Sequence, residues 1–292
     1  MGPIQLYNSL LPLLRSDRVY KQYDHRTSLK KLYDFTLSLF RELLFVSSIP
    51  YLEYLSAFLL NHPIKKVDWS HKSDALFVLV HGLRGHPSVW DAHVNLIKTQ
   101  PKCDVFAPFV HLQGNCSLEE AATPILPNIL AYARTHPRNP ICLLGVSNGS
   151  RIVTWLETEL REKAPTTAVK VSTIAGVHFG SSVITLLEQF GLGRLLFHPA
   201  ILRELAYGSQ KAKELMEKVQ KPLPPEVAHR NYEFYAATAD MHVPNIDSSL
   251  PILNRGEHFH LIHGHGHNSI VAAIAKQQID SCLKWINAVT RH

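Results

Sequence analysis

The chain is poor in charge and in cysteine, and it has no long uninterrupted apolar run. Charged residues make up 18% of the 292, against 46% hydrophobic. That balance excludes an intrinsically disordered chain, which carries more charge and too little apolar surface to bury. No block of 20 to 50 residues repeats, so solenoids and propellers are excluded. The 14 glycines and 18 prolines follow no short period, which excludes collagen-like and low-complexity chains. Cys103, Cys116, Cys142 and Cys282 lie far apart, with no CxxC pair. In a chain of this length they read as reduced, mostly buried thiols of a reducing compartment, not as a disulfide framework. Lys+Arg 30 exceed Asp+Glu 24 only by a scattered +6. Pairs such as Lys30-Lys31 and Lys65-Lys66 do not build the basic stripe of a nucleic-acid binder.

The most apolar stretch, residues 37–60, is broken by Arg41, Glu42, Pro50 and Glu53, so it does not span a bilayer. No basic segment leads into a clean apolar run at the start, so a secretory signal is not expected. Met1-Gly2-Pro3 does not continue into a myristoylation pattern. The expected location is cytoplasmic, with peripheral contact at a membrane surface as the alternative.

Two regions differ in character. Residues 1–63 read as a helical extension. Leu29, Leu32, Tyr33, Leu37, Phe40 and Leu44 recur at helical spacing from Ser28, Pro50 ends that helix, and a second apolar helix runs from Tyr51 to Leu60. A pair of helices packed on the main body is expected, with an interfacial helix as the rival.

From residue 64 onward, short apolar runs alternate with helical stretches. The runs are Ala75–Val80, Val105–Val110, Ile141–Val146, Val169–Ile174, Tyr232–Ala237 and Phe259–Ile262. The helical stretches are Ser88–Lys98, Ser117–Thr135, Ser150–Lys163 and Ser269–Ala288. Strands apolar throughout and joined by helices predict a mostly parallel sheet covered on both faces, with ligands at the carboxyl ends of the strands. Residues 182–230 interrupt this rhythm with an apolar helical insertion, readable as a lid over the site or as a packed subdomain.

The chemistry-bearing residues follow the strands. Gly145-Val146-Ser147-Asn148-Gly149 closes one apolar run and opens a helix with Ile152, Trp155, Leu156 and Leu160 on one face. A serine on so sharp a turn needs very small residues two places to either side, and the helix that starts behind it directs free N–H groups at a developing oxyanion. His81-Gly82-Leu83-Arg84-Gly85 ends the first run, where the Leu83 amide would join that of Asn148 as an oxyanion donor. A serine nucleophile needs a base, and the base an orienting acid. His267 follows the last strand and directly precedes the C-terminal helix, with His265 as second choice. Asp240 ends the preceding strand, with Asp247 as second choice. The order Ser147, Asp240, His267 is that of the α/β-hydrolase topology.

These blocks resemble the lipase-like serine esterases of the α/β-hydrolase superfamily over residues 64–292. Asp240-x-x-Val243-Pro244 is similar to their acid loop, and Gly266-His267-Asn268-Ser269-Ile270 to their histidine loop. Val177-His178-Phe179-Gly180-Ser181 is similar to a turn they carry before the lid, with valine in place of proline. Val146 and Asn148 also depart from the commonest elbow. The resemblance implies an α/β-hydrolase fold with a helical lid at 182–230 and hydrolysis of an acyl ester or lipid. It gives Ser147, Asp240 and His267 as triad, Leu83 and Asn148 as oxyanion hole, and His81, Gly82 and His178 at the substrate. It calls for no cofactor and no metal. A single apolar residue after His81-Gly82 is similar to enzymes of medium or long acyl chains.

Three rivals stand beside it. His258, His260, His263, His265 and His267 alternate as zinc ligands do. A thioesterase or peptidase would use the same triad. A catalytically silent hydrolase fold would serve as a binding module or lipid carrier. The oligomeric state is not legible.

Overall fold

The computed structural model describes residues 26–48, 64–100 and 102–291. Six parallel strands form one sheet: β1 (Ala75–Val80), β2 (Cys103–Phe106), β3 (Ile141–Val146), β4 (Val169–Ile174), β5 (Arg230–Ala237) and β6 (His258–Ile262), in the order β2-β1-β3-β4-β5-β6. Helices are α1 (Ser28–Ser48), α2 (Asp91–Lys98), α3 (Leu118–Ala122), α4 (Leu126–Thr135), α5 (Asn148–Lys163), α6 (Ser182–Gln189), α7 (Gly193–Leu196), α8 (Pro199–Leu205), α9 (Gln210–Gln220), α10 (Ile246–Ser249), α11 (Ser269–Ala273) and α12 (Ala275–Val289).

The central strands are buried on both faces, which is why they read as unbroken apolar runs. Leu76, Val78 and Val80 of β1 enter one core with α4, α5 and α9. Ala75, Phe77 and Leu79 enter the other with Trp90 and α12. From β1 the chain first moves out to β2 and then returns past β1 to β3. The direction of winding therefore reverses between β1 and β3, and the loops that leave these two strands flank a crevice.

Several expected boundaries shift for identifiable reasons. The second strand ends at Phe106 instead of Val110: Pro108 cannot donate to a ladder, and the Val110 N–H donates to His81 Nε2 (3.0 Å). The stretch 117–135 splits into α3 and α4 around Pro124, and the C-terminal helix breaks at Ile274, between α11 and α12. The 182–230 insertion is helical through α6–α9. All four cysteines are free thiols, three of them buried. Among the described residues no helix is long and apolar enough to cross a membrane.

The N-terminal region departs most from expectation. Helix α1 begins at Ser28 as its periodicity predicts, but it packs on the body through its polar side. Leu29 and Tyr33 are 80% and 66% exposed, while Asp34, Ser38 and Glu42 are 7%, 2% and 8% exposed. Those polar positions recur every four residues and form one stripe. The expected helix Tyr51–Leu60 lies outside the described residues.

One buried charge cluster fastens α5 to the sheet. Glu157 accepts from Arg161 Nε and Nη2 (both 2.7 Å) and from Arg230 Nε of β5 (3.1 Å). Removing the carboxylate strands buried guanidinium charge, a defect of about 3–5 kcal/mol. Glu157→Ala should therefore lose about that much stability in urea denaturation.

Candidate active site

Ser147 sits between the last residue of β3 and the first of α5, at φ 55° and ψ −125°. A non-glycine residue in the left-handed half of the map is strained, by about 1–3 kcal/mol, and persists only where its surroundings over-determine it. Here the Ser147 N–H donates to the Ile174 carbonyl of β4 (3.0 Å). A Cβ on Gly149 would lie 2.2 Å from the Val80 carbonyl oxygen, and one on Gly145 would lie 2.5 Å from the Gly149 carbonyl oxygen. A Cβ on Gly82 would lie 2.8 Å from the Ser147 Cβ, so the loop after β1 presses directly on the serine.

Ser147 and His267 line one cavity of about 320 Å³, together with Gly82, Leu83 and Arg84. His267 Nδ1 lies 2.7 Å from Asp240 Oδ2. The other carboxylate oxygen, Oδ1, accepts from the His242 and Val243 N–H groups, each at 2.8 Å. The carboxylate is thus fixed from one side and faces the imidazole with the other, so Nδ1 carries the proton and Nε2 is left as the basic nitrogen.

Burial pulls the His267 pKa down, but the charge and hydrogen bond of Asp240, with a contribution from Glu42, outweigh it, and the net shift is upward from 6.5. Burial pushes Asp240 up, and the His267 charge and hydrogen bond, the Val243 N–H and His242 bring it below the ordinary carboxylate range. His242, against His267 at 4.8 Å between ring centroids, is lowered by burial and then by the His267 charge.

Leu83 lines the cavity, and Asn148 opens α5, so the Asn148 N–H belongs to the first turn, whose donors have no partner within the helix. The Asn148 side chain points elsewhere: Nδ2 donates to the Gly114 carbonyl (3.5 Å), and Oδ1 accepts from Arg151 Nη1 (3.3 Å). Arg151 is fully buried and pairs with Glu204 of α8 at 3.0 Å. This tie runs from the helix behind the serine to the insertion above it.

Two residues expected at the substrate are turned away from it. His81 is fully buried; its Nε2 accepts from Val110 N–H, and its Nδ1 donates to the Gly82 carbonyl (2.9 Å). His178 is equally buried, with Nδ1 on the Ser248 carbonyl (3.0 Å) and Nε2 3.3 Å from Thr154 Oγ1. Burial, the leading cause in both, pulls each pKa to about 4. They brace backbone as neutral rings; their neighbours Gly82, Val177 and Ser181 reach the cavity instead.

The second choices also have other partners: Asp247 accepts from Tyr207 OH (2.5 Å), and His265 Nε2 accepts from Arg41 Nη1 (2.9 Å). The alternating histidines do not converge as a ligand set. His260 pairs with Glu233, His263 with Thr238, His265 with Arg41 and His267 with Asp240. Among the described residues one group has metal-like spacing, Asp240, His242 and His267. Its Asp240 and His267 atoms are already committed to each other.

Sequence reasoning missed His242, Arg84 and Glu42. Arg84 has φ 53° and stacks its guanidinium over Phe197 of the insertion, 4.8 Å from the ring centroid. His242 lies inside the acid-loop block, where its nearness to Asp240 was the available signal. The insertion contributes Ile184, Leu187, Phe197 and Leu205 to the cavity wall.

No protein-family model matches the chain, and no curated protein matches it. Solved structures do resemble it. A monoacylglycerol lipase from Paleococcus ferrophilus is 16% identical, with 78% of this chain and 100% of that chain covered at a TM-score of 0.51. Alpha/beta hydrolase domain-containing protein 10 from mouse is 11% identical, covering 77% of this chain and 100% of that one at 0.49. The phospholipase PlaB from Legionella pneumophila is 13% identical at 0.42, and the match spans 56% of this chain but only 39% of that larger one. The six-stranded parallel sheet, its reversal between β1 and β3 and the likeness to the Paleococcus structure over that chain's whole length agree: the chain has the α/β-hydrolase fold.

Proposed function

We propose that this protein is a serine hydrolase that cleaves carboxylic esters carrying an apolar acyl chain, through Ser147, His267 and Asp240. One observation carries the reading. A serine held at φ 55° shares a cavity with a histidine whose far nitrogen lies 2.7 Å from a buried carboxylate.

In this reading Ser147 Oγ attacks the acyl carbon while His267 Nε2 takes its proton. Asp240 keeps the Nδ1–H tautomer and stabilises the imidazolium. The charge that develops on the carbonyl oxygen is received by the Leu83 and Asn148 N–H groups, each worth about 3 kcal/mol. Collapse of the tetrahedral intermediate breaks the ester C–O bond, and the His267 Nε2–H proton passes to the leaving alkoxide. Water then attacks the acyl-enzyme with His267 again as base, releasing the acid and restoring Ser147. The cavity wall supports an acyl substrate, because Val89, Val183, Ile184, Leu187, Phe197 and Leu205 offer it methyl and ring surface.

Three outcomes follow for purified protein assayed with p-nitrophenyl esters. Ser147→Ala should lower turnover by about four to six orders of magnitude and abolish fluorophosphonate labelling, and Asp240→Asn by about 10⁴. Unchanged turnover in Ser147→Ala rejects the assignment.

The base works only when neutral. Because the His267 pKa is raised above 6.5, kcat/KM should fall on acidification through a midpoint above 6.5.

Each further methylene buried in the cavity contributes about 0.8 kcal/mol. Selectivity should therefore rise roughly threefold to fourfold per carbon from acetyl toward hexanoyl esters, read from a chain-length series.

A further inference from the structure

Helix α1 touches the body at the loop that carries His267, and it does so with charge. Glu42 Oε1 accepts from the Ser269 N–H (2.8 Å) and the Asn268 N–H (3.1 Å), while Oε2 accepts from Asn268 Nδ2 (3.0 Å) and also lies 3.3 Å from the Asn268 nitrogen. Both backbone donors belong to the two residues that directly follow the histidine. One residue away on α1, Arg41 Nη1 donates to the Gly264 carbonyl (2.5 Å) and to His265 Nε2.

The glycines of His263-Gly264-His265-Gly266-His267 make this approach possible. A Cβ on Gly266 would lie 2.7 Å from Glu42 Cγ and 2.8 Å from Glu42 Oε1. A Cβ on Gly264 would lie 3.2 Å from both Arg41 Nη1 and Leu37 Cδ2. The helix and the loop are fitted to each other across more than two hundred residues of sequence.

We propose that Glu42 is a positioning residue for the hydrolytic reaction: its carboxylate grips the backbone just after His267 and thereby fixes the imidazole between Ser147 and Asp240. The proposal rests on the reading of Ser147, His267 and Asp240 given above. Glu42 does not touch substrate or the reacting atoms. It acts by holding the loop and by adding a second negative charge near His267.

The charge has a readout. The groups facing His267 are Asp240 and His242 from the loop after β5, Glu42 from α1 and Ser147 from the β3–α5 turn. The nearby cations are Arg41, engaged with His265 and Gly264, and Arg84, at the cavity wall. Of the carboxylates, Asp240 and Glu42 favour the imidazolium.

The test compares Glu42→Gln and Glu42→Ala in the full chain. Gln keeps one carbonyl oxygen to accept an N–H but loses the charge; Ala loses both. With a short p-nitrophenyl ester, kcat should fall about threefold to tenfold in Glu42→Gln and about tenfold to a hundredfold in Glu42→Ala, with KM unchanged. The acid limb of kcat/KM in Glu42→Gln should move down by about half a unit to one unit. The His267 ring resonance, assigned by its loss in His267→Gln, should titrate lower by the same amount in NMR.

A Glu42→Ala protein that loses thermal stability but keeps wild-type kcat and an unmoved acid limb overturns the proposal, since that is a purely structural role. The ring titration needs no turnover and no Ala variant. An unchanged His267 titration in Glu42→Gln overturns the proposal even where Glu42→Ala fails to fold. Undiminished turnover in Ser147→Ala, by contrast, sinks the hydrolase reading while leaving the ring titration as it was.

Discussion

The site depends on one close backbone approach. The turn after β3 lies so near the end of β1 that a methyl group at Gly149 would sit 2.2 Å from the Val80 carbonyl oxygen. Nothing larger than hydrogen fits there. The contact exists because β1 and β3 are neighbours, paired up to Val80 opposite Gly145, although β2 intervenes between them in sequence. The reversal of winding therefore does two things at once. It opens the crevice, and it brings the Gly82-Leu83 segment against Ser147. The strain at Ser147 is sustained by this packing and by the Ile174 carbonyl that receives its N–H. Loosening any of these contacts lets the serine relax into an ordinary turn.

Much of this was legible because burial on both faces removes ambiguity. A strand with helices above and below it has no polar side, so Ala75–Val80, Ile141–Val146 and Val169–Ile174 stand out of the sequence with their boundaries intact. Edge and loop segments obey other constraints. The run from Val105 to Val110 is as apolar as a strand, but Pro108 has no proton to donate and Val110 gives its own to a histidine. The common rim of Ser147, Asp240 and His267 was legible for a related reason: each follows a strand, and the carboxyl ends of parallel strands share one rim. Ring orientation was not. His81 and His178 sit within two residues of cavity-lining positions, yet both turn inward to satisfy buried carbonyls. Sequence adjacency to a site does not say which way a side chain leaves the backbone.

Helix α1 shows the complementary failure. Its apolar spacing correctly marks a helix, and the usual inference is that the apolar side is buried. Here the side that meets the body is the one with carboxylates, because the surface it meets offers unpaired donors. The start of α11 presents the Asn268 and Ser269 N–H groups, and Glu42 takes them. A helix of five residues leaves most of its N–H groups without internal partners, so an external acceptor is worth more there than another methyl contact. The stripe Asp34, Ser38, Glu42 and the spaced glycines of the histidine loop are two halves of one interface. Neither half identifies the other in sequence, since more than two hundred residues separate them.

The eighteen histidines make the same point about chemistry. Four that are buried illustrate how environment sorts one side chain into different roles. His81, His93 and His178 face carbonyl, amide and hydroxyl groups, with no carboxylate against any of them, and burial takes each to a pKa of about 4. They remain neutral through the physiological range and act as rigid braces. His267 is also buried, and burial acts on it in the same direction. What differs is a carboxylate at 2.7 Å and a second one on the following residues' backbone. Their combined field reverses the effect of burial, so this imidazole alone of the four takes up a proton at low cost. A proton shuttle needs a ring that is neutral at rest and tolerates charge for the lifetime of an intermediate. In the proposed mechanism Asp240 and Glu42 supply that tolerance from distant parts of the sequence, and the N-terminal helix then belongs to the electrostatics of the site as well as to its architecture.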